Sequence, residues 1–175
     1  VEKTAIVTLQ NGLRVGLAGV TTHYVKLWEK PENLAGITVT DAFTAAKEAY
    51  DQLKAKADIT VCIYHGGFER DVKTGKVLSD TDENQGWRIC EELGFDILLA
   101  GHQHTAAENV RINGTYTCQP PDKARQYIKM DVIVDGQITA EQHLMDAGNV
   151  TQAKAKALLL PAEKQAAAWF DTPMG

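Results

Sequence analysis

Apolar positions along this chain change their period several times, and each change marks an element. Two β-rich runs, Thr4-Ala5-Ile6-Val7-Thr8-Leu9 and Leu13-Arg14-Val15-Gly16-Leu17-Ala18-Gly19-Val20, flank Gln10-Asn11-Gly12. Asn-Gly between such runs predicts a hairpin, because both turn residues must accept positive φ. Residues 21–35, with Pro31, read as a loop. Over 38–56 the period lengthens. Val39, Ala42, Phe43, Ala46, Ala49, Tyr50 and Leu53 share one face with charges between them, which predicts an amphipathic helix. Thr38 or Thr40 is the expected cap, with Asp41 at the positive end of the helix dipole.

Two short, continuously apolar runs have the character of strands buried on both faces. Asp58-Ile59-Thr60-Val61-Cys62-Ile63-Tyr64 leads into His65, and Phe95-Asp96-Ile97-Leu98-Leu99-Ala100 leads into Gly101. Between them lie a polar loop over 66–76 and a second helix, capped by Ser79 or Asp80, running to about Leu93 and closed by Gly94. Strand, helix, strand, helix, strand implies right-handed crossovers and a mainly parallel core. Asn113-Gly114 and Asp135-Gly136 then punctuate β-type runs at 108–112, 115–119, 126–134 and 137–144, which read as two antiparallel hairpins. Residues 150–170 are helical in composition, with Pro161 expected to kink or split the helix. The fold class is α/β: mainly parallel core strands with flanking helices, plus C-terminal antiparallel hairpins.

Composition narrows the functions open to such a fold. A chain of 175 residues is long enough to bury one proper core. Net charge is −5 and no basic run exceeds a pair, so a nucleic-acid duplex is excluded as a backbone-tracking partner. No apolar stretch approaches a membrane span. Cys62, Cys90 and Cys118 are odd in number and form no CxxC, so they read as small buried hydrophobes rather than disulfides or metal thiolates. The chain starts without Met beside a strand, which is expected of a piece of something longer.

The candidate chemistry lies where the two buried runs end. In open α/β sheets ligands bind beyond the carboxyl ends of the strands. His65 in Tyr64-His65-Gly66-Gly67 and the pair in Gly101-His102-Gln103-His104 occupy two such ends. Neutral imidazole is the commonest metal ligand. In an extended segment residues i and i+2 share a side, so His102 and His104 are expected to face one pocket with His65. Gly66, Gly67 and Gly101 are expected to let backbone approach a metal or substrate closely. His23, at another strand end, is either a further lining residue or a surface one, and His143 reads as an exposed edge residue. Glu69, Arg70 and Asp71 read as solvated, and Asp58 and Asp96 stand at the wrong ends of their strands. Three histidines suit one zinc with an open position, whereas a two-metal site needs a bridging carboxylate as well.

In these blocks the chain resembles the C-terminal half of the calcineurin-like metallophosphoesterase domain of 5′-nucleotidases and 2′,3′-cyclic-nucleotide 2′-phosphodiesterases. That family's pattern runs Asp-x-His, Gly-Asp-x-x-Asp, Gly-Asn-His-Glu/Asp, a lone His, then Gly-His-x-His. His65 and Gly101-His102-Gln103-His104 match the last two blocks; the first three do not occur in this sequence. Asn11-Gly12-Leu13-Arg14-Val15-Gly16-Leu17-Ala18-Gly19-Val20-Thr21-Thr22 and Ile112-Asn113-Gly114-Thr115-Tyr116-Thr117-Cys118-Gln119-Pro120 are similar to its flanking segments. The resemblance implies half of a four-layer αββα sandwich over 1–149 and a helical connector over 150–175. It implies hydrolysis of a nucleotide or cyclic nucleotide assisted by two divalent ions (Mn, Zn, Fe, Mg or Ca). His65 and His102 would serve one ion and His104 the other, with Gln103 a spacer. It places no catalytic residue within this stretch and implies little activity without the missing N-terminal half-domain and C-terminal nucleotide-binding domain. By analogy it implies a secreted, periplasmic or cell-wall location. Two other readings stand beside it: a self-contained mononuclear zinc hydrolase using the three histidines, and a non-catalytic α/β binding domain.

Overall fold

In the computed structural model, which describes residues 2–146, 148 and 153–172, the first two runs form the expected hairpin. Strand β1 (Thr4–Thr8) pairs antiparallel with β2 (Arg14–Thr21). Gly12 takes φ 86° in the turn, and the Asn11 side chain accepts the Leu13 amide at 3.1 Å. Strand β3 (Ile59–His65) lies parallel beside β2, and β4 (Ile97–Ala100) parallel beside β3. Strands β5 (Ala107–Ile112) and β6 (Thr115–Gln119) form the next hairpin, and β6 joins the core parallel to β4. The sheet order is β1-β2-β3-β4-β6-β5. Strands β7 (Gln126–Asp135) and β8 (Gln137–Asp146) make a separate two-stranded sheet. The mainly parallel core and both closing hairpins are as expected.

Helix α2 (Ala42–Leu53) follows a single turn, α1 (Val25–Trp28), within the segment read as loop. It buries Ala42, Ala46, Ala49 and Leu53 against the sheet. Three alanines in that stripe let the helix sit low, and Gly16 of β2 completes the fit: a Cβ there would lie 2.8 Å from the Ala57 Cβ. Its cap is Asp41 rather than Thr38 or Thr40. The Asp41 carboxylate accepts the Thr44 amide at 2.9 Å, joining cap and dipole complement in one residue. Helix α3 (Gly86–Glu92) starts later than Ser79 or Asp80 would place it. Glu69 from the preceding loop supplies its N-terminal acceptor, taking the Trp87 and Arg88 amides at 3.0 and 2.8 Å. Gly94 makes room for Tyr50, whose hydroxyl would sit 2.3 Å from a Cβ.

The opposite sheet face is apolar too. Ile59, Val61 and Ile97 are buried there, and Met130 and Ile138 of the β7–β8 hairpin pack onto them. Gln142 pins the hairpin in place: its amide accepts from Asn109 N–H at 2.9 Å and donates to the Thr117 carbonyl at 3.2 Å. Helix α4 (Ala153–Phe170) runs unbroken through Pro161, so the expected split is absent. One lost hydrogen bond is tolerated in a segment this rich in Ala, Leu and Lys, the strongest helix formers. Residues 150–152 lie outside the described residues.

The starts of the parallel strands are fixed by carboxylates. Asp58 receives Arg14 through its backbone amide at 2.8 Å and its guanidinium at 2.6 Å, and Asp96 takes the Thr60 amide at 2.7 Å. The Arg14 hydrogen bonds hold the Asp58 carboxyl down to about 2. A depressed carboxyl contributes stability that is complete above its unfolded value of about 4 and fades as pH falls through the folded one. Asp58→Asn is therefore expected to flatten the acid limb of Tm against pH between about pH 4 and pH 2. Thermal melts followed by circular dichroism test this; an acid limb identical to that of the parent would contradict it.

Candidate metal centre

Register places the two histidine blocks side by side. Thr21 pairs with His65 across β2 and β3, and Tyr64 pairs with Ala100 across β3 and β4. Beyond the strands the Gly101 amide donates to the Gly66 carbonyl at 3.2 Å. Both chains thus leave the sheet together at its carboxyl edge. The His65 and His102 rings meet with centroids 5.4 Å apart at 60°. Metal–nitrogen bonds are about 2 Å long, so two imidazoles at this separation suit one shared ion.

His104 does not follow from the extended-segment argument. His102 and His104 take φ 75° and 56°, and the Gln103 amide closes a tight turn onto the Gly101 carbonyl at 2.9 Å. Alternation of sides fails in such a turn. His104 is exposed, and among the described residues no three His, Cys, Asp or Glu side chains gather in a metal-holding arrangement. The left-handed region is costly for residues with a Cβ and concentrates at functional sites.

Gln103 is not a spacer. Its side-chain oxygen accepts the Phe68 amide at 2.8 Å and its nitrogen donates to the Phe68 carbonyl at 2.9 Å. This two-point clamp ties the loop after β4 to the loop after β3 and so sets the distance between the two histidines. The glycines after His65 serve this packing rather than a ligand. A Cβ on Gly67 would sit 2.1 Å from the Gln103 amide oxygen, and one on Gly66 would sit 2.0 Å from the Tyr64 ring. Gly101 alone faces the imidazole, with His65 Nδ1 3.8 Å from where its Cβ would be.

Two residues that sequence reasoning passed over complete the surroundings of His102. Glu83 Oε1 lies 2.9 Å from His102 Nε2. Trp28 stacks on the same ring, centroids 5.1 Å apart at 25°. Glu83 sat in a polar stretch and Trp28 in a presumed loop, and neither carried a periodic or motif signal. Elsewhere, His23 is half-buried, 3.7 Å from Asp41 and edge-on to Tyr24. His143 is surface-exposed beside Glu141. Glu69 is a half-buried helix cap rather than a solvated acid, and burial raises its pKa. All three cysteines are buried and unbridged, with burial pushing the Cys62 thiol up to about 12.

A cavity of about 400 Å³ opens next to His65, bounded by Ile63, Leu99, Gly101 and the hairpin residues Tyr127 and Ile128. A second hollow of about 450 Å³ lies at the other end of the strands, lined by Asp58, Asp96, Arg111 and Tyr116. Its charges are already committed: Asp58 to Arg14, Asp96 to Thr60, Arg111 to the Tyr116 ring. The first cavity is the one lined by a candidate histidine, His65.

Comparison with known proteins gives these features a context. No family model matches the chain. A metallophosphoesterase of Bacillus subtilis, YunD, itself uncharacterized, is 26% identical over 168 residues, covering 92% of this chain and 32% of that protein. The 2′,3′-cyclic-nucleotide 2′-phosphodiesterase/3′-nucleotidase of Salmonella typhimurium is 31% identical over 94 residues, covering 53% of this chain and 14% of that protein. Among solved structures, a Staphylococcus aureus protein described as a 5′-nucleotidase superposes with TM-score 0.80 at 26% identity, over 93% of this chain and 34% of that one. The sulfate thiohydrolase SoxB of Thermus thermophilus shares the fold, with TM-score 0.71 at 18% identity over 93% of this chain and 29% of that one. The chain thus spans about a third or less of the length of the proteins it matches. In sequence and fold it is akin to a portion of the metallophosphoesterases. Within them its likeness is to proteins named 5′-nucleotidase and 2′,3′-cyclic-nucleotide 2′-phosphodiesterase.

Proposed function

We propose that this chain is the part of a nucleotide-hydrolysing, metal-dependent phosphoesterase that carries His65 and the Gly-His-x-His block. The observation that supports it most is the approach of His65 and His102 at the carboxyl ends of adjacent parallel strands. The donors present fit part of a metal site. His65 and His102 form a pair, His104 stands outside it as an exposed third donor, and the carboxylate beside the pair, Glu83, is engaged by the His102 ring. When bound, a divalent cation supplies charge neutralisation at phosphoryl oxygens. The residues of this chain hold imidazoles in place for it and, in the cavity next to His65, leave room for a substrate. The remaining ligands belong to segments with the Asp-x-His, Gly-Asp-x-x-Asp and Gly-Asn-His patterns. Residues 1–149 then form the phosphoesterase portion and 150–175 a connector, in an exported or cell-wall-associated protein. No helix among the described residues is long and apolar enough to cross a membrane.

Titration calorimetry with Mn²⁺ tests the reading. Weak uptake is expected, lost in His65→Ala/His102→Ala. The chain alone, given excess Mn²⁺ and a 2′,3′-cyclic nucleotide, is expected to show no turnover. Robust turnover abolished by His102→Ala would establish a self-sufficient enzyme instead. Absence of metal uptake, with the double variant indistinguishable from the parent, would favour the non-catalytic domain, in which His102 is satisfied by Glu83.

A further inference from the structure

We infer that Glu83 is a positioning residue that fixes which nitrogen of His102 faces the ion, an inference resting on the metal-site reading above. A carboxylate only accepts hydrogen bonds, so at 2.9 Å from Glu83 the His102 Nε2 carries the ring proton. Nδ1 is then the nitrogen with a free lone pair. The partner of one imidazole nitrogen sets which nitrogen can be metallated, and such carboxylate–histidine pairs orient ligands and raise their basicity.

The fold invests in holding this carboxylate still. The Glu83 carbonyl accepts the buried Thr22 hydroxyl at 2.7 Å. Its neighbour Asn84 accepts the Gly67 amide at 2.7 Å, and the Gln85 amide donates to the Tyr64 hydroxyl at 3.1 Å. Thr22, Tyr64 and Gly67 belong to the ends of β2 and β3 and to the loop that follows. The residue that orients His102 is therefore built on the same strand ends that present His65. Trp28, stacked on His102, limits rotation of the ring on its other flank. These anchors are the Glu83 carbonyl, the Asn84 side chain and the Gln85 amide, so trimming the Glu83 side chain leaves them intact.

The test uses the ¹⁵N-labelled chain and its Glu83→Ala and Glu83→Gln variants. Long-range imidazole NMR without metal reads the His102 tautomer. It is expected to be Nε2–H in the parent, largely retained in Glu83→Gln, whose side-chain oxygen can still accept, and mixed in Glu83→Ala. Titration with Mn²⁺ alone is expected to show 10–100-fold weaker binding in Glu83→Ala, the usual effect of removing such a partner, and a smaller loss in Glu83→Gln. An unchanged tautomer in Glu83→Ala overturns the proposal. So do equal affinity losses in both variants, which would make Glu83 a ligand itself. If the parent binds no Mn²⁺, the metal reading fails, and the metal-free tautomer still decides whether Glu83 orients His102.

Discussion

A Leu98→Ala chain is expected to lose about 2–5 kcal/mol of stability, a large share of the 5–15 kcal/mol typical of a domain. Leu98 has 0% exposure at the centre of β4, opposite Cys62 of β3 and Thr117 of β6. Strand β4 has only four residues. With so few backbone bonds, its place in the sheet depends on side-chain burial, and Leu98 is its most buried member. The Thr117 hydroxyl also donates to the Leu98 carbonyl at 2.8 Å, so a shift of β4 unseats a buried polar group as well. The same strand delivers Gly101 and His102, and loosening it also weakens any metal uptake. Urea unfolding at constant m measures the effect. Leu158→Ala serves as the comparator, since Leu158 on α4 is 75% exposed and its loss should change stability by less than about 0.5 kcal/mol. Similar midpoints for the two variants would contradict the assignment of β4 as the core strand.

The parts of this molecule that were legible in the sequence are those governed by period. The runs ending at His65 and Ala100 are short and continuously apolar, and their length and flanking turn residues favour central strands. Most of their side chains are buried, with Ile63 exposed at the carboxyl end. Asn11-Gly12, Asn113-Gly114 and Asp135-Gly136 mark their turns, and each glycine takes positive φ. At Asn113-Gly114 both residues do, whereas Asn11 and Asp135 do not, contrary to the sequence expectation. Period cannot say which strand pairs with which, so the insertion of β6 next to β4 was not foreseeable from the runs alone. Cap positions failed for a related reason. Ser79 and Asp80 are good capping residues, but α3 begins at Gly86 because Glu69, seventeen residues earlier, offers the better-placed acceptor. The site was legible only as residue types. His65 and His102 are brought together as expected, whereas the placement of His104 depended on local extension, which the left-handed turn removes. Glu83, Trp28 and the Gln103 clamp are contacts between distant segments, and no spacing rule encodes them.

That clamp makes a coupled prediction. A Cβ at Gly67 would meet Gln103 Oε1, Cδ and Cγ at 2.1, 2.2 and 2.3 Å. Those atoms are the far end of a flexible side chain, so Gly67→Ala is expected to expel Gln103 from its place rather than distort the backbone. Expulsion breaks both hydrogen bonds to Phe68, the same two that Gln103→Ala removes. Leaving the buried amide and carbonyl of Phe68 without partners costs about 1–3 kcal/mol. Each single substitution should therefore destabilise by roughly that amount, and the double variant by little more than either alone. The expected coupling is about 1–2 kcal/mol, within the range seen for residues that share one hydrogen-bond network. Gly101→Ala isolates the cause, because its Cβ would meet nothing nearer than His65 Nδ1 at 3.8 Å. Chemical denaturation of the four members of the cycle decides the matter. Losses that add to within about 0.5 kcal/mol would mean that Gly67 and Gln103 act separately, and that the spacing of His65 and His102 is set by something other than the grip on Phe68.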